Sequence, residues 1–327
     1  MLVPAPAASV VVATRARPAA LAACLASLAR LQPPPGGFEV VVVDDGSPDP
    51  PDDVLAAVAD RLDVRLVRRE RSGGPAIARN DGVHQARGRV LAFTDDDCRV
   101  DRWWLRALVA AVDSGTGVAA GGTARAGLAG NRWARASEAV EAAVYAHENH
   151  DALSARFLTT KNLAVGAAEF AAVGGFDPRF RWSEDRDFCD RWLADGCRMA
   201  YVPEAIVYHD RPVGAREFWR QHHDYGRGSH RFHALRRARG APGLRPDLRF
   251  YVRLVARSAR SSGSAVQRAQ ATVLTVAAQL ATVAGYLSAV GVAARSSRAI
   301  STDGGSAARS PSAESAPRLT ATSRSAS

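Results

Sequence analysis

Two periods of apolar residues organise the first two hundred positions of the chain. Ser9–Thr14 (SVVVAT) is a short β-branched run, apolar enough to predict a strand buried on both faces. Pro18 then opens a helix in which Leu21, Cys24, Leu25, Leu28 and Leu31 recur at helical spacing. After the loop QPPPGG, Phe38–Val43 (FEVVVV) reads as a second buried strand, ending in Asp44-Asp45-Gly46-Ser47. A helix around Asp53–Leu62 and a third strand, Val64–Val67, follow. Strands alternating with helices predict an α/β fold whose sheet is parallel, with right-handed crossovers. Val90–Thr94, bounded upstream by Gly88, is a further buried strand. Beyond it the pattern predicts helices over Arg102–Asp113 and Arg132–Asn149 and a strand over Gly117–Gly122. The stripe Trp133, Ala136, Val140 and Val144 marks the expected inner face of the second of these helices. A helix over DRDFCDRWLADG turns Phe188, Trp192 and Leu193 inward, and Tyr201-Val202-Pro203 is the last core strand.

Polar chemistry gathers at the ends of these elements. Asp95, Asp96 and Asp97 stand together at the end of the Val90–Thr94 strand. Three like charges there repel one another unless a cation joins them, and hard oxygen donors suit Mg2+ or Mn2+. A solvated acidic turn capping the helix near Arg102 is the competing reading. In an open α/β sheet, the crevice beyond the strands' carboxyl ends is also where ligands bind. Gly73-Gly74 before Pro75 makes a helix N-terminus open to close approach by an anion, with Arg79 one turn inside. The stretch lacks the GK[ST] of a P-loop. Glu184-Asp185 open a helix, where on their own they read as capping acids. His147 and His150 read as surface residues, and His209 follows the last strand, where a lone histidine is more often structural.

Composition narrows the classes. The 327 residues are 47% hydrophobic, with ample material for one large or two modest domains. The net charge of +10 is unevenly placed: from Arg211 onward there are 19 Arg against 5 acids, so the body before it carries a slight negative balance. A basic tail suits an anionic membrane surface or nucleic acid. Nucleic acid is not expected, because the charge sits beyond the sheet and no recognition motif accompanies it. Cys24, Cys98, Cys189 and Cys197 show neither CxxC nor His-Cys spacing, which argues against zinc and against a disulfide framework. The N-terminus MLVPAPAASVVVATRAR has no basic region before its apolar run, so a cytoplasmic location is the expectation. Residues 269–294 carry no charge and are flanked by Arg268 and Arg295. They are long enough to span a bilayer, yet so rich in Ala, Thr and Gly that lying on a membrane or packing on the body is equally open.

In order, SVVVATRARP, VVVDDGSPD, GGPAIARNDG, VLAFTDDDC and NLAVGAAEFAAVGGFDPRFRWSEDRDFCDR resemble the successive signatures of family-2 glycosyltransferases. The likeness covers roughly residues 8 to 230. It implies the GT-A fold, a Rossmann-like mixed but mainly parallel sheet flanked by helices, here with a C-terminal helical extension. Domains are expected at 1–235 (catalytic), 236–299 (basic and apolar helices, with possible membrane contact) and 300–327 (disordered tail).

The resemblance also implies roles. Thr14 and Asp45 would hold the base and ribose of a nucleoside diphosphate sugar, with Asp44 bracing the turn. Gly74 would lie near the diphosphate, and Arg79 either there or where it orients the acid triplet. Asp95 and Asp97 match the two acids of the family's DxD motif, with Asp97 the direct contact to Mg2+ or Mn2+, Asp96 facing sugar or ribose, and His209 placed to complete the metal site. Asp185 would be the general base that activates the acceptor hydroxyl, Glu184 its helper or a ligand of the acceptor, and Asn162 and Trp182 would line the sugar and acceptor pocket, with a core position the other reading of Trp182. Lys161 begins that second block. A single displacement of this kind inverts the anomeric centre. Processive synthases carry QxxRW where this chain has Gln221-His222-His223-Asp224-Tyr225, and multiple transmembrane spans are lacking, so transfer of one sugar is expected. The acceptor could be a glycan, a lipid-linked or a small molecule, in cell-envelope or glycolipid synthesis at the inner face of the membrane. The alternative is a GT-A domain that binds nucleotide sugar or glycan without turnover.

Overall fold

The computed structural model describes residues 5–128, 130–243, 247–260 and 264–303. The first half alternates as expected: β1 (Ala8–Thr14), α1 (Pro18–Leu28), β2 (Phe38–Asp44), α2 (Asp52–Ala56), β3 (Val64–Arg68), α3 (Pro75–Gln85) and β4 (Val90–Asp95). Then come β5 (Cys98–Val100), α4 (Trp104–Val112), β6 (Val118–Ala126), α5 (Arg132–Glu148), β7 (Leu163–Gly166), α6 (Ala167–Ala172), α7 (Glu184–Ala194) and β8 (Arg198–His209). Three helices close the described chain: α8 (Ala215–Ala238), α9 (Leu248–Ala259) and α10 (Ala265–Asp303).

The eight strands form one sheet in the order β3-β2-β1-β4-β7-β6-β8-β5. The first four are parallel, β7 is antiparallel to both β4 and β6, β6 and β8 are parallel, and β5 runs antiparallel to β8. Two reversals around β7 restore the original direction, so β1, β2, β4 and β8 all end at the same edge. That edge carries the chemistry. The mixed, mainly parallel sheet agrees with the expected fold class.

Burial on both faces explains the continuous apolar runs of β1 and β2. Val10, Val12, Val40 and Val42 face one core with Leu21, Leu25, Leu28 and Trp104, packing α1 and α4 against the sheet. Val11, Val41 and Val43 face the other, with Phe93, Phe170, Phe176, Phe188 and Trp192, which packs α7 there. Gly82 lets α3 lie against β1, since a Cβ there would sit 2.5 Å from Val11 Cγ1.

Some elements differ from expectation. The helix expected to Leu62 stops at Ala56 and continues as turns. The last core strand is twelve residues long rather than three. β5 and β7 are too short to stand out in the sequence. The described residues up to Ala289 form one compact unit, and those from Val290 belong to a second. Within the first, α10 packs Leu274 and Ala278 against Phe218 of α8 and Ala134 of α5. Ala265–Ala293 is long and apolar enough to cross a membrane by length and composition alone, with 28% of its most apolar window buried. The tail expected to be disordered falls, from residue 304, outside the described residues.

Candidate active site

At the shared edge β1 ends in Thr14, β2 in Asp44, β4 in Asp95 and β8 in His209. The turn after β2 needs Gly46: its φ is +75°, and a Cβ would meet Ser72 N at 2.8 Å. Asp44 holds that turn by accepting from Ser47 N (3.0 Å) and from the Ser47 hydroxyl. Asp45 reaches across to the loop before α3, accepting from Ser72 Oγ (2.7 Å), Gly73 N (2.8 Å) and Gly74 N (2.9 Å) and pairing with Arg69 (3.0 Å). Both its oxygens take part in these contacts, so Asp45 shapes the Gly73-Gly74 backbone. Gly74 sits at φ +93° immediately before α3.

The acid triplet is split among three partners. Asp95 Oδ1 accepts from Arg79 Nη2 at 2.6 Å. Asp96, fully buried, accepts from Thr14 Oγ1 at 2.7 Å and pairs with Arg17 at 2.5 Å. Asp97 pairs with Arg17 at 2.6 Å and faces His209 Nε2 at 3.4 Å. Thr14 thus supports Asp96 from beneath. Burial, with Asp97 and Asp95 nearby, pushes the Asp96 carboxyl up to about 7 against the pull of Arg17 and Thr14. Burial would also raise Asp97, but His209 and Arg17 outweigh it and hold Asp97 below the usual carboxylate range. Burial and Lys161 lower His209, yet its bonds to Asp97 and Glu138 win and carry it up to about 9.

Asp97, Cys98 and His209 present ligand atoms within 4.8 Å of one another. Burial drives the Cys98 thiol well above its ordinary value, and soft sulfur is a poor match for Mg2+ or Mn2+. That leaves a carboxylate oxygen facing an imidazole nitrogen at 3.4 Å. Two ligands at right angles on a small divalent ion, each at about 2.1 Å, lie roughly 3 Å apart. The donor pair fits Mn2+ or Mg2+, with Asp95, whose side chain is 30% exposed, close by in the chain.

Arg79 links this edge to α7. Its Nη1 donates to Glu184 Oε1 at 2.7 Å while Nη2 holds Asp95. α7 starts at Glu184 after Ser183, whose φ is +66°. Asp185, half-buried beside it, accepts from Arg186 N at 2.8 Å; burial and the Glu184 charge push its carboxyl up to about 7. Trp182 is half-buried with the Arg227 guanidinium 5.6 Å from its ring centre. Asn162 lies deeper than expected. It is fully buried, accepts from Trp104 Nε1 (2.8 Å) and donates to the carbonyls of Ala205 (2.9 Å) and Thr123 (3.2 Å). With its amide fully used, it pins β6, β8 and α4 together.

Two sets of residues escaped the sequence reading. Arg17, the residue immediately before α1, clasps Asp96 and Asp97. Its place just past a strand end was the available signal. Glu138 and Glu141 of α5 close on Lys161, at 3.6 and 2.6 Å, and Glu138 Oε1 lies 2.6 Å from His209 Nδ1. Trp133, Ala136 and Val140 of the expected stripe do pack inward, and Ala134, Ala143 and Tyr145 are buried beside them.

Known proteins share this fold. The family described as glycosyl transferase family 2 matches residues 9–176. A pre-mycofactocin glycosyltransferase of Mycobacterium tuberculosis is 28% identical over 184 residues, which is 54% of this chain and 37% of that one. The chain thus spans little more than a third of that relative's length. A mannosyltransferase from Pyrobaculum calidifontis, solved with GDP-Man and Mn2+, superposes with a TM-score of 0.59 at 18% identity, over 92% of this chain and 80% of that one. TarS of S. aureus with UDP-GlcNAc gives 0.52 at 16% identity, over 82% and 71%. The fold is GT-A, and with more than half of its length matched, the chain belongs to glycosyl transferase family 2.

Proposed function

We propose that this glycosyltransferase moves one sugar from a nucleoside diphosphate sugar to an acceptor hydroxyl, with inversion and with the help of a divalent metal. One observation carries the reading: a buried guanidinium, Arg79, joins the acid triplet to the pair Glu184-Asp185, so donor-side and acceptor-side acids meet at one sheet edge. Asp97 and His209, with Asp95, would hold Mn2+ or Mg2+. When bound, the metal offsets the charge that builds on the departing diphosphate.

The remaining work belongs to the chain. The Gly73-Gly74 backbone before α3, shaped by Asp45, offers N–H groups to an anion, and Arg17 and Arg79 add positive charge. Thr14 and Asp96 support the donor side. Asp185 accepts the acceptor hydroxyl's proton as the oxygen attacks the anomeric carbon from the face opposite the leaving group. Glu184, held by Arg79, keeps Asp185 in place, and Trp182 offers an apolar face to a sugar ring.

The donor class is supported by the GDP-Man and UDP-GlcNAc seen in structural neighbours. An acceptor in cell-envelope or glycolipid synthesis, with the enzyme at the cytoplasmic face of an anionic membrane, fits the exposed apolar residues Leu248, Tyr251 and Val252 of α9 beside exposed Arg249 and Arg253.

The test is binding and hydrolysis of UDP-, GDP- and dTDP-sugars with Mn2+ or Mg2+, in wild type and in Asp97→Ala and Asp185→Asn. Metal-dependent binding of one donor, lost in Asp97→Ala, with turnover but not binding lost in Asp185→Asn, is expected. Binding without any turnover by the wild type, over a broad acceptor panel, would move the reading to a non-catalytic GT-A domain. A folded wild type that binds none of the donors would overturn the transferase reading and leave only a glycan-binding GT-A domain.

A further inference from the structure

We propose that Glu138 is a positioning residue for His209, fixing the imidazole so that Nε2 faces Asp97, and that Lys161 and Glu141 anchor the α5 segment that carries it. The inference rests on the reading of Asp97 and His209 as a metal-holding pair.

Glu138 Oε1 lies 2.6 Å from His209 Nδ1, so Nδ1–H donates to it. Nε2 faces Asp97 Oδ1, 3.4 Å away, and on the charged imidazole it carries the second proton, which a metal in the space between them would displace. A carboxylate behind a ligating histidine sets ring orientation and raises its basicity.

The alternative, that Glu138 is present only to neutralise buried Lys161, fits the distances less well. Lys161 Nζ is satisfied by Glu141 Oε2 at 2.6 Å and stands 3.6 Å from Glu138, which sits a full ångström closer to the imidazole. Lys161, Glu138 and Glu141 have side chains only 7%, 12% and 22% exposed. A buried ionic cluster of this kind contributes little net stability compared with apolar packing of the same volume, so its presence beside the acid triplet calls for a geometric role.

The helix that delivers Glu138 is itself fixed. Asn131 caps α5 by accepting from Trp133 N (3.0 Å) and Ala134 N (2.9 Å), and donates to Val213 O (3.0 Å), four residues past His209. The cap therefore ties the first turn of α5 to the same stretch of chain that presents the imidazole.

Mn2+ binding to the full chain, followed by electron paramagnetic resonance with GDP and separately with UDP present, tests this without turnover. The set is wild type, Glu138→Ala, Glu138→Gln, His209→Ala and the double variant Glu138→Ala/His209→Ala. Glu138→Ala is expected to weaken Mn2+ binding about tenfold or more, the usual cost of losing such a partner. Glu138→Gln, whose amide oxygen can still accept from Nδ1–H, recovers most of it. The double variant binds no more weakly than His209→Ala alone, because Glu138 acts through the imidazole. Should Glu138→Ala fold poorly, Glu138→Leu fills the same volume and removes the acceptor. Wild-type affinity in a folded Glu138→Ala or Glu138→Leu, with His209→Ala weakened, overturns the role of Glu138 alone. A further loss in the double variant also overturns it, since the effect would then bypass the imidazole. Wild-type affinity in His209→Ala overturns the metal reading of His209 and this inference together.

Discussion

Arg79 Nη1 donates to Glu184 Oε1 at 2.7 Å across 105 residues of sequence, while the same guanidinium holds Asp95 at 2.6 Å. Burial opposes the charge on Arg79, but Asp95 and Glu184 more than offset it and raise its pKa further. α3 thereby couples the end of β4 to the start of α7, and a change at either acid is felt at the other.

Arg79→Met should cost both stability and catalysis. It leaves buried Glu184 without its cation, and breaking a buried pair from one side costs about 3–5 kcal/mol; the low end applies here because the Asp95 side chain is 30% exposed. Arg79→Lys keeps the charge but cannot fork to both acids, so stability should largely return while kcat/KM stays at least about tenfold down, close to 1.4 kcal/mol of transition-state stabilisation. Urea unfolding beside steady-state kinetics separates the two. Full activity in Arg79→Lys would show that the bridge is only structural.

The Asp185 carboxyl, pushed up to about 7 by burial and by Glu184, sets a pH dependence. A base must be ionised to work, so turnover should climb as pH rises through about 7, with the apparent pKa belonging to the Glu184-Asp185 pair. Stability moves the other way. The folded state holds this proton more tightly than the unfolded chain, whose Asp titrates near ~3.9, so the group disfavours folding progressively from about pH 4 to 7. In Asp185→Asn the decline in unfolding free energy over that window should flatten, and residual turnover should lose its acid limb. An unchanged acid limb in that variant would assign the titration elsewhere.

The parts of this site that could be read from sequence are those whose chemistry is local. β1, β2 and β4 stand out because strands buried on both faces need unbroken apolar runs, and Asp95–Asp97 stand out because like charges at such a strand end need an explanation. Residues defined by partners far along the chain do not. Asn162 looks like a polar pocket residue until Trp104, Ala205 and Thr123 are seen to use its whole amide. Glu138 and Glu141 lie outside the apolar stripe read for their helix, and their partners are distant: Lys161, twenty residues beyond Glu141, and His209, which Glu138 also holds. Arg17 was hidden in the same way by a partner 80 residues away.

The crossing of α8 and α10 makes a separate prediction. A Cβ at Gly285 would run into His223 O, and one at Gly226 into Thr282 O, so two glycines let the helix backbones touch. Gly285→Leu should lift α10 from α8 and speed amide exchange across residues 265–289 at least tenfold, while donor binding at the sheet edge changes little. Hydrogen exchange with mass spectrometry reads the first, donor titration the second. Unchanged protection in α10 would mean that the helix is held by Leu274 and Ala278 alone.

Asn162→Leu distinguishes a brace from a pocket residue. The substitution keeps the volume but strands the Trp104 indole N–H and the carbonyls of Ala205 and Thr123 in the core. Each buried polar group left unpaired costs about 1–3 kcal/mol, so a total of roughly 3–5 kcal/mol is expected once the most exposed of the three, Thr123 O, finds water. The β6–β8 junction would loosen, and with it the end of β8 that presents His209. Below the lowered melting point, however, the donor's KM should stay within about threefold of wild type, because no amide atom of Asn162 is free to meet a ligand. A wild-type melting point combined with a KM raised tenfold or more would return Asn162 to the sugar pocket, where its place in the sequence first suggested it.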